Sequence, residues 1–252
     1  MPDSLMSAIH TKPFVHETLS SKSLHFTIGE TQSQMRLQNP DVLDLEYTRV
    51  MMGFLLFHPQ PERIAMIGLG GGSMAKYCYR HLPKSSIDVV EINPHVIALR
   101  DEFHVPPDDE RFSVVRGDGA QFVRERATRY DVVLVDGFVS HGLPSRLCSQ
   151  SFYDDCHETL RPGGMLVVNL HSSHPHFDFQ LARLRRSFND AILVVDDGEM
   201  SNSIVFACES EETFARVRPG LVRAPRGIDN TGANQLLGAF AIIASRIKNQ
   251  QR

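Results

Sequence analysis

The sequence predicts an α/β protein built on a Rossmann-like, doubly wound sheet, and three observations carry that prediction. Apolar runs alternate with helical stretches from residue 63 onward, glycines crowd one run-to-helix junction, and carboxylates end three consecutive runs. With 252 residues the chain can bury one sizeable core, or a core with a small appendage.

Taken in order, the segment "SLHFTIGETQSQMRLQ" alternates. Leu24, Phe26 and Ile28 share one face, and Met35 and Leu37 repeat the pattern beyond a Gly-Glu-Thr turn, which is hairpin periodicity. The residues before it read as a loose start. "LDLEYTRVMMGFLLFHP" then carries apolar residues at helical spacing and stops at Pro59. The boundary is placed accordingly: a β-hairpin region over 1–46 and the main Rossmann-like domain, with its C-terminal helix, over 47–252.

The runs "RIAMIG", "IDVVEI", "FSVVRGD", "YDVVLVD" and "GMLVVNL" each precede a polar loop and a helical stretch. Unbroken Val/Ile/Leu runs of this kind are parallel strands covered on both faces. "AILVVDD" and "SNSIVFACE" follow, with a connection short enough for an antiparallel pair at the sheet edge. The tail "NQLLGAFAIIASRIKN" puts Leu236, Leu237, Phe240, Ile243, Ala244 and Ile247 on one helical stripe, which suits packing on the domain or on a second copy.

Composition excludes several classes. A formal net charge of -4 supplies no basic field of the kind nucleic-acid binding needs. The four cysteines form no CxxC pair, so neither a disulfide framework nor a zinc knuckle is expected, and a reducing cytoplasm is the simplest home. No signal peptide is legible in "MPDSLMSAIHTKPF", and no apolar run is long enough to span a membrane.

In a parallel sheet the ligand lies beyond the carboxyl ends of the strands. Gly68, Gly70, Gly71 and Gly72 occupy that point after the first strand, where positive φ angles and bare backbone let a ligand reach N–H groups at the helix start. No Gly-Lys-Ser/Thr follows, so a P-loop is excluded, and Ser73 stands where a dinucleotide fingerprint wants its third glycine.

Glu91 ends the second strand about twenty residues on, where a carboxylate can accept hydrogen bonds from ribose hydroxyls. Asn93 and Pro94 then start a helix. Asp118, followed by Gly119, ends the third strand, where an adenine amino group could donate to it, and Asp136 ends the fourth. Any one of these acids alone reads equally well as a capping or surface residue. Together they converge on one crevice and point to an adenosyl-containing ligand.

The runs "LFHPQPERIAMIGLGGGS", "VVEINPHVIALRDEF", "VVRGDGAQFV", "YDVVLVDGF" and "SFYDDCHETLRPGGMLVVNL" resemble the spermidine synthase (polyamine aminopropyltransferase) family over roughly residues 45 to 210. The resemblance implies the S-adenosylmethionine-dependent transferase type of sheet with a small N-terminal β region. It implies transfer of an aminopropyl group from decarboxylated S-adenosylmethionine to an amine acceptor, and association as dimers or tetramers, of which a homodimer is expected here. Glu91 would hold the ribose, Asp118 the adenine, Asp136 would orient or deprotonate the attacking amine, and Tyr47 would line the acceptor pocket.

The sequence departs from the family at Gly71, where an aspartate is usual, at Val139, in place of a second loop acid, and around Tyr47, where Arg49 stands and a glutamate and a glutamine are missing. These departures predict an intact nucleoside half and an amine half depleted of carboxylates. They keep two other readings open: a methyltransferase using intact S-adenosylmethionine, whose carboxylate Gly71 would not repel, and a non-catalytic adenosyl-binding protein. His141 is a further candidate base. The loop "FVSHGLPSRLCSQSFY" is long enough to act as a lid. "HSSHPHF" places His171, His174 and His176 on the ligand side, in irregular spacing that suits substrate contact better than a metal, so no metal is expected.

Overall fold

The computed structural model describes residues 10–28, 30–125, 129–138, 143–197, 202–217 and 227–250. The expectation placed on His141, and the Val139 and Gly142 positions of the lid loop, lie outside them.

Two sheets are present. The first is antiparallel, formed by β1 (Phe14–Glu17), β2 (Ser21–Thr27) and β3 (Glu30–Arg36) in sequence order. The segment read as a loose start thus contributes a strand, paired to β2 from Phe14 opposite His25 to Glu17 opposite Lys22. The expected alternation also breaks. Register shifts between Leu24 and Thr27 turn Ile28 out to solvent, at 97% exposure, while Leu24 and Met35 stay buried. A bulge of this kind inserts a residue and re-aims everything beyond it.

After α1 (Glu46–Met51) and a 3-10 turn (Met52–Leu56), the main sheet begins. Its strands are β4 (Arg63–Ile67), β5 (Ser86–Glu91), β6 (Phe112–Arg116), β7 (Tyr130–Val135), β8 (Leu160–His171), β9 (Ile192–Asp196) and β10 (Asn202–Cys208). They lie in the order β6-β5-β4-β7-β8-β10-β9. The first five are parallel to one another, whereas β10 runs antiparallel to both β8 and β9. All six residues of β7 are buried, as a central strand covered on both faces requires.

The covering helices are α2 (Ser73–His81), α3 (Pro94–Ile97), α4 (Gly119–Glu125), α5 (Gln150–Thr159), α6 (Phe177–Ser187), α7 (Glu212–Ala215) and α8 (Asn230–Gln250). Asn93 caps α3 as expected, its Oδ1 accepting from the His95 N–H at 3.0 Å. The α8 stripe packs on the body of its own chain, against α1, the 3-10 turn and β9, with Leu236, Phe240, Ile243 and Ile247 buried. Leu237 does not belong to that stripe and is 46% exposed. Among the described residues, no helix is long and apolar enough to cross a membrane.

Leu24 and Met35 of the small sheet sit in the same apolar cluster as Ile64, Met66 and Phe103 of the main body. The small sheet therefore shares its core with the main sheet, which fixes it as a wall over the carboxyl ends of β4 and β5.

Candidate active site

The carboxyl edge of the main sheet, α1 and the small sheet enclose a cleft of about 1080 Å³. Sheet order lays its contents out as a line. Asp118 and Gly119 follow β6, Glu91 ends β5, Gly68 and Gly70 follow β4, Asp136 follows β7, Asn169 and His171 end β8, and Asn202 and Asp197 close the far side on β10 and β9. One side of Asp136 is thus the glycine-loop end, and the other is the end beyond β8.

The glycine loop is shaped by its own backbone. Gly68 has φ +98° and donates its N–H to Val90 O at 2.8 Å, and a Cβ there would collide with the backbone oxygen of Asp136. Gly68→Ala combines a conformation that L-residues avoid with a clash against backbone, at a cost of about 3 kcal/mol or more. In a chain of this size that lowers Tm by roughly 6–12 °C, measurable by calorimetric melting.

Gly71 and Gly72, expected to face the ligand, pack away from the cleft. A Cβ on Gly71 would meet Ser33 Oγ at 2.6 Å and Phe103 Cδ1 at 2.8 Å, and one on Gly72 would strike Val105. Ser33, from β3, itself lines the cleft beside Gly70. Hence Gly71→Asp alone is expected to destabilise the fold through overpacking by about 1–3 kcal/mol. Gly71→Asp with Ser33→Gly should recover part of that loss in a denaturant titration.

Glu91 binds the loop to the sheet. Its Oε2 accepts from the Leu69 N–H at 2.9 Å and its Oε1 from the Asn93 N–H at 2.8 Å. Burial raises its pKa, and these backbone donors pull it back down. The loop N–H groups expected to greet a ligand are in this way partly turned inward to Glu91. Asp118 shows the same double duty. Its Oδ1 accepts from the Ala120 N–H at 2.8 Å as the cap of α4, and its Oδ2 accepts from Arg146 Nη1 at 2.7 Å. Arg146 also lines the cleft, with Pro144 and Leu147, so the described part of the long loop after β7 forms one of its walls.

At the centre, the Tyr47 hydroxyl donates to Asp136 Oδ2 at 3.1 Å and Asn169 Nδ2 donates to Asp136 Oδ1 at 2.9 Å. Burial raises the Asp136 pKa above the usual carboxylate range, against the pull of these two donors. Burial and the neighbouring carboxylate together hold the Tyr47 hydroxyl well above its ordinary value. Tyr47 is placed by Arg49, which donates from Nε to Leu43 O at 2.8 Å and from Nη2 to Asp44 O at 3.0 Å, and pairs with Glu46. Arg49 therefore braces the start of α1 rather than putting its charge into the cleft.

Three lining residues escape a reading of the sequence: Ser33, Asn169 and Asp197. Asn169 had one signal, a carboxamide inside the apolar run "MLVVNL". His171 stacks on Phe138 with ring centroids 4.2 Å apart, and both line the cleft, as does His174. Among the described residues no group of three or more His, Cys, Asp or Glu side chains is arranged to hold a metal ion.

A sheet of this order with its antiparallel penultimate strand, carrying acids at the tips of β5, β6 and β7, defines the S-adenosylmethionine-dependent transferase fold. The sequence profile of the spermine/spermidine synthase domain matches residues 45–187. The polyamine aminopropyltransferase of Chromobacterium violaceum is 36% identical over 77% of this chain and 74% of that protein. The polyamine aminopropyltransferase of Neisseria meningitidis serogroup A is 35% identical over 78% and 75%. A probable spermidine synthase from Corynebacterium glutamicum superposes with TM-score 0.69 at 24% identity, over 79% of this chain and 77% of that one.

The chain belongs to the spermine/spermidine synthase family. Membership supports aminopropyltransferase-like activity in general and a co-substrate derived from S-adenosylmethionine.

Proposed function

We propose that the protein transfers an aminopropyl group from decarboxylated S-adenosylmethionine to an amine acceptor. The observation that carries this reading is the Tyr47–Asp136–Asn169 cluster at the midpoint of the cleft, between the glycine-loop end and the far end beyond β8. Glu91, at the tip of β5, receives the ribose hydroxyls in competition with the backbone donors it already holds, and Asp118 receives the adenine amino group.

The sulfonium supplies the leaving group. Asp136 holds the attacking nitrogen and takes the proton it sheds as the new C–N bond forms and the C–S bond breaks, its electron pair passing to sulfur. Tyr47 and Asn169 fix the carboxylate so that little reorganisation accompanies attack.

A base with a raised pKa loses its function at higher pH than an ordinary carboxylate. The acid limb of kcat/KM, which reports the free protein, is therefore expected above the usual aspartate range and should vanish in Asp136→Asn. An acid limb unchanged in that variant would remove Asp136 as the base.

Ser33 favours one second reading. Gly71 packs away from the cleft, but the Ser33 hydroxyl lines it beside Gly70 and would meet the carboxylate of intact S-adenosylmethionine without repulsion, which suits methyl transfer. Calorimetric titration with the intact and decarboxylated donors separates the two: tighter binding of the decarboxylated form supports aminopropyl transfer, and tighter binding of the intact form supports the alternative.

A further inference from the structure

A second cavity, of about 490 Å³, opens beside the Asp118 end of the cleft. Its walls come from α4, from the 3-10 turn Ser145–Cys148 and from the head of α5. Ala120 is the one apolar residue among the described residues that line it; Arg124, Glu125 and the hydroxyls of Ser145 and Ser151 make it polar. Arg146 lines this cavity and the cleft alike, so its side chain stands in the partition between them.

The partition is held by one bond. Arg146 Nη1 donates to Asp118 Oδ2 at 2.7 Å, and the guanidinium makes no other ion pair or hydrogen bond among the described residues. Its side chain is 73% exposed, and an ion pair so open to solvent adds little to stability. Asp118 is fixed independently, because its Oδ1 accepts from the Ala120 and Gln121 N–H groups at 2.8 and 3.2 Å. The carboxylate therefore stays in place when the guanidinium leaves it. Oδ2 is the oxygen left for an adenine amino group, so a bound adenine and Arg146 compete for one acceptor. The other charges of the second cavity already have partners: Glu125 Oε1 accepts from Gln121 Nε2 at 2.9 Å, and Arg124 Nε pairs with Asp155 at 3.1 Å. A displaced Arg146 is matched best by an anion that arrives with the ligand.

We propose that the second cavity is an annex of the nucleobase end, closed by Arg146, which receives an acidic substituent carried on the 6-nitrogen of adenine. The proposal rests on the reading above in which Asp118 receives the adenine amino group, and it adds a ligand class to that site. A singly substituted 6-nitrogen keeps one N–H for Asp118 Oδ2 and sends its substituent toward the partition. A carboxylate about one or two carbons out meets Arg146 as it leaves Asp118. The ion pair is exchanged rather than lost, with the amino group replacing the guanidinium at Asp118 and the ligand carboxylate replacing Asp118 at Arg146. The Ser145 and Ser151 hydroxyls offer further donors to that carboxylate.

The test is calorimetric titration of the full chain with methylthioadenosine and with its N6-carboxymethyl and N6-carbamoylmethyl derivatives, which match in size and differ in charge. Wild type and Arg146→Ala are compared; the exposed position of Arg146 makes the variant easy to fold. Wild type should bind the carboxymethyl derivative about ten- to hundredfold more tightly than the carbamoylmethyl one. Arg146→Ala should abolish that preference and bind methylthioadenosine at least as tightly as wild type does. Equal binding of the two derivatives by wild type, as when Glu125 takes up the displaced guanidinium, overturns the proposal, and so does a preference that survives in Arg146→Ala. Weaker methylthioadenosine binding in the variant would overturn the role of Arg146 as a displaceable partition. Methylthioadenosine bound with both derivatives excluded refutes the annex and leaves the nucleoside reading standing, whereas binding of none of the three to either protein refutes both.

Discussion

Replacing Asp136 by asparagine is expected to lower kcat by about a hundred- to ten-thousandfold while leaving adenosyl-ligand affinity within a few-fold of wild type. The substitution keeps the size of the side chain and an acceptor oxygen for Tyr47, turns its new NH2 toward Asn169, whose carboxamide flips to accept through the otherwise unpartnered Oδ1, and removes the group that takes the proton. It should also leave the protein no less stable at neutral pH. Asp136 carries a raised pKa because burial opposes its charge. Its favourable contribution to folding is therefore complete below the unfolded-state value, near 3.8, and is lost as pH rises through the raised folded value. At neutral pH the wild type bears the cost of an ionised buried carboxylate that the variant does not. Melting curves of the two proteins should converge, or cross in favour of the wild type, as the pH falls. A variant that melts well below wild type at pH 7 would mean that the cluster is structural first.

Glu91→Gln is expected to have the larger effect on binding. A carboxylate accepts at both oxygens, and here both are engaged, with Leu69 N–H on one and Asn93 N–H on the other. A carboxamide accepts at one end only and turns its own N–H groups toward the second donor. One buried backbone N–H is then left without an acceptor, at about 1–3 kcal/mol. The glycine loop loses its tie to β5 at the same stroke, so the ribose contact and the loop geometry fail together. Adenosyl-ligand affinity should drop by about a hundredfold or more, with a fall in denaturation midpoint corresponding to about 1–3 kcal/mol. Normal affinity in a folded Glu91→Gln protein would show that the ribose is held elsewhere.

Much of this site was legible before the structure. The parallel strands announce themselves as apolar runs because both faces are buried, so an acid that ends such a run lies at the sheet edge. Glu91, Asp118 and Asp136 were found that way. What the pattern could not convey is how each carboxylate divides its lone pairs. Glu91 ties down the loop and Asp118 caps α4 and pairs with Arg146, and those duties depend on neighbours far along the chain.

The residues missed share a cause. Ser33 reaches the cleft only because the small sheet folds over β4, and that approach also turns Gly71 into a packing position. Asp197 follows β9, the edge strand, and only β10, inserted between β8 and β9, carries Asn202 to it. Ile28 and Leu237 fail in the other direction. Their periodicity was right locally, but a bulge in the small sheet and the narrow contact face of α8 leave both exposed.

The most direct test of the account is to incubate the protein with decarboxylated S-adenosylmethionine and putrescine and to measure methylthioadenosine release against controls lacking the amine or containing Asp136→Asn. The account predicts release that requires the amine and collapses in the variant. Release that is independent of amine, or absent with the decarboxylated donor while intact S-adenosylmethionine is demethylated, would contradict it.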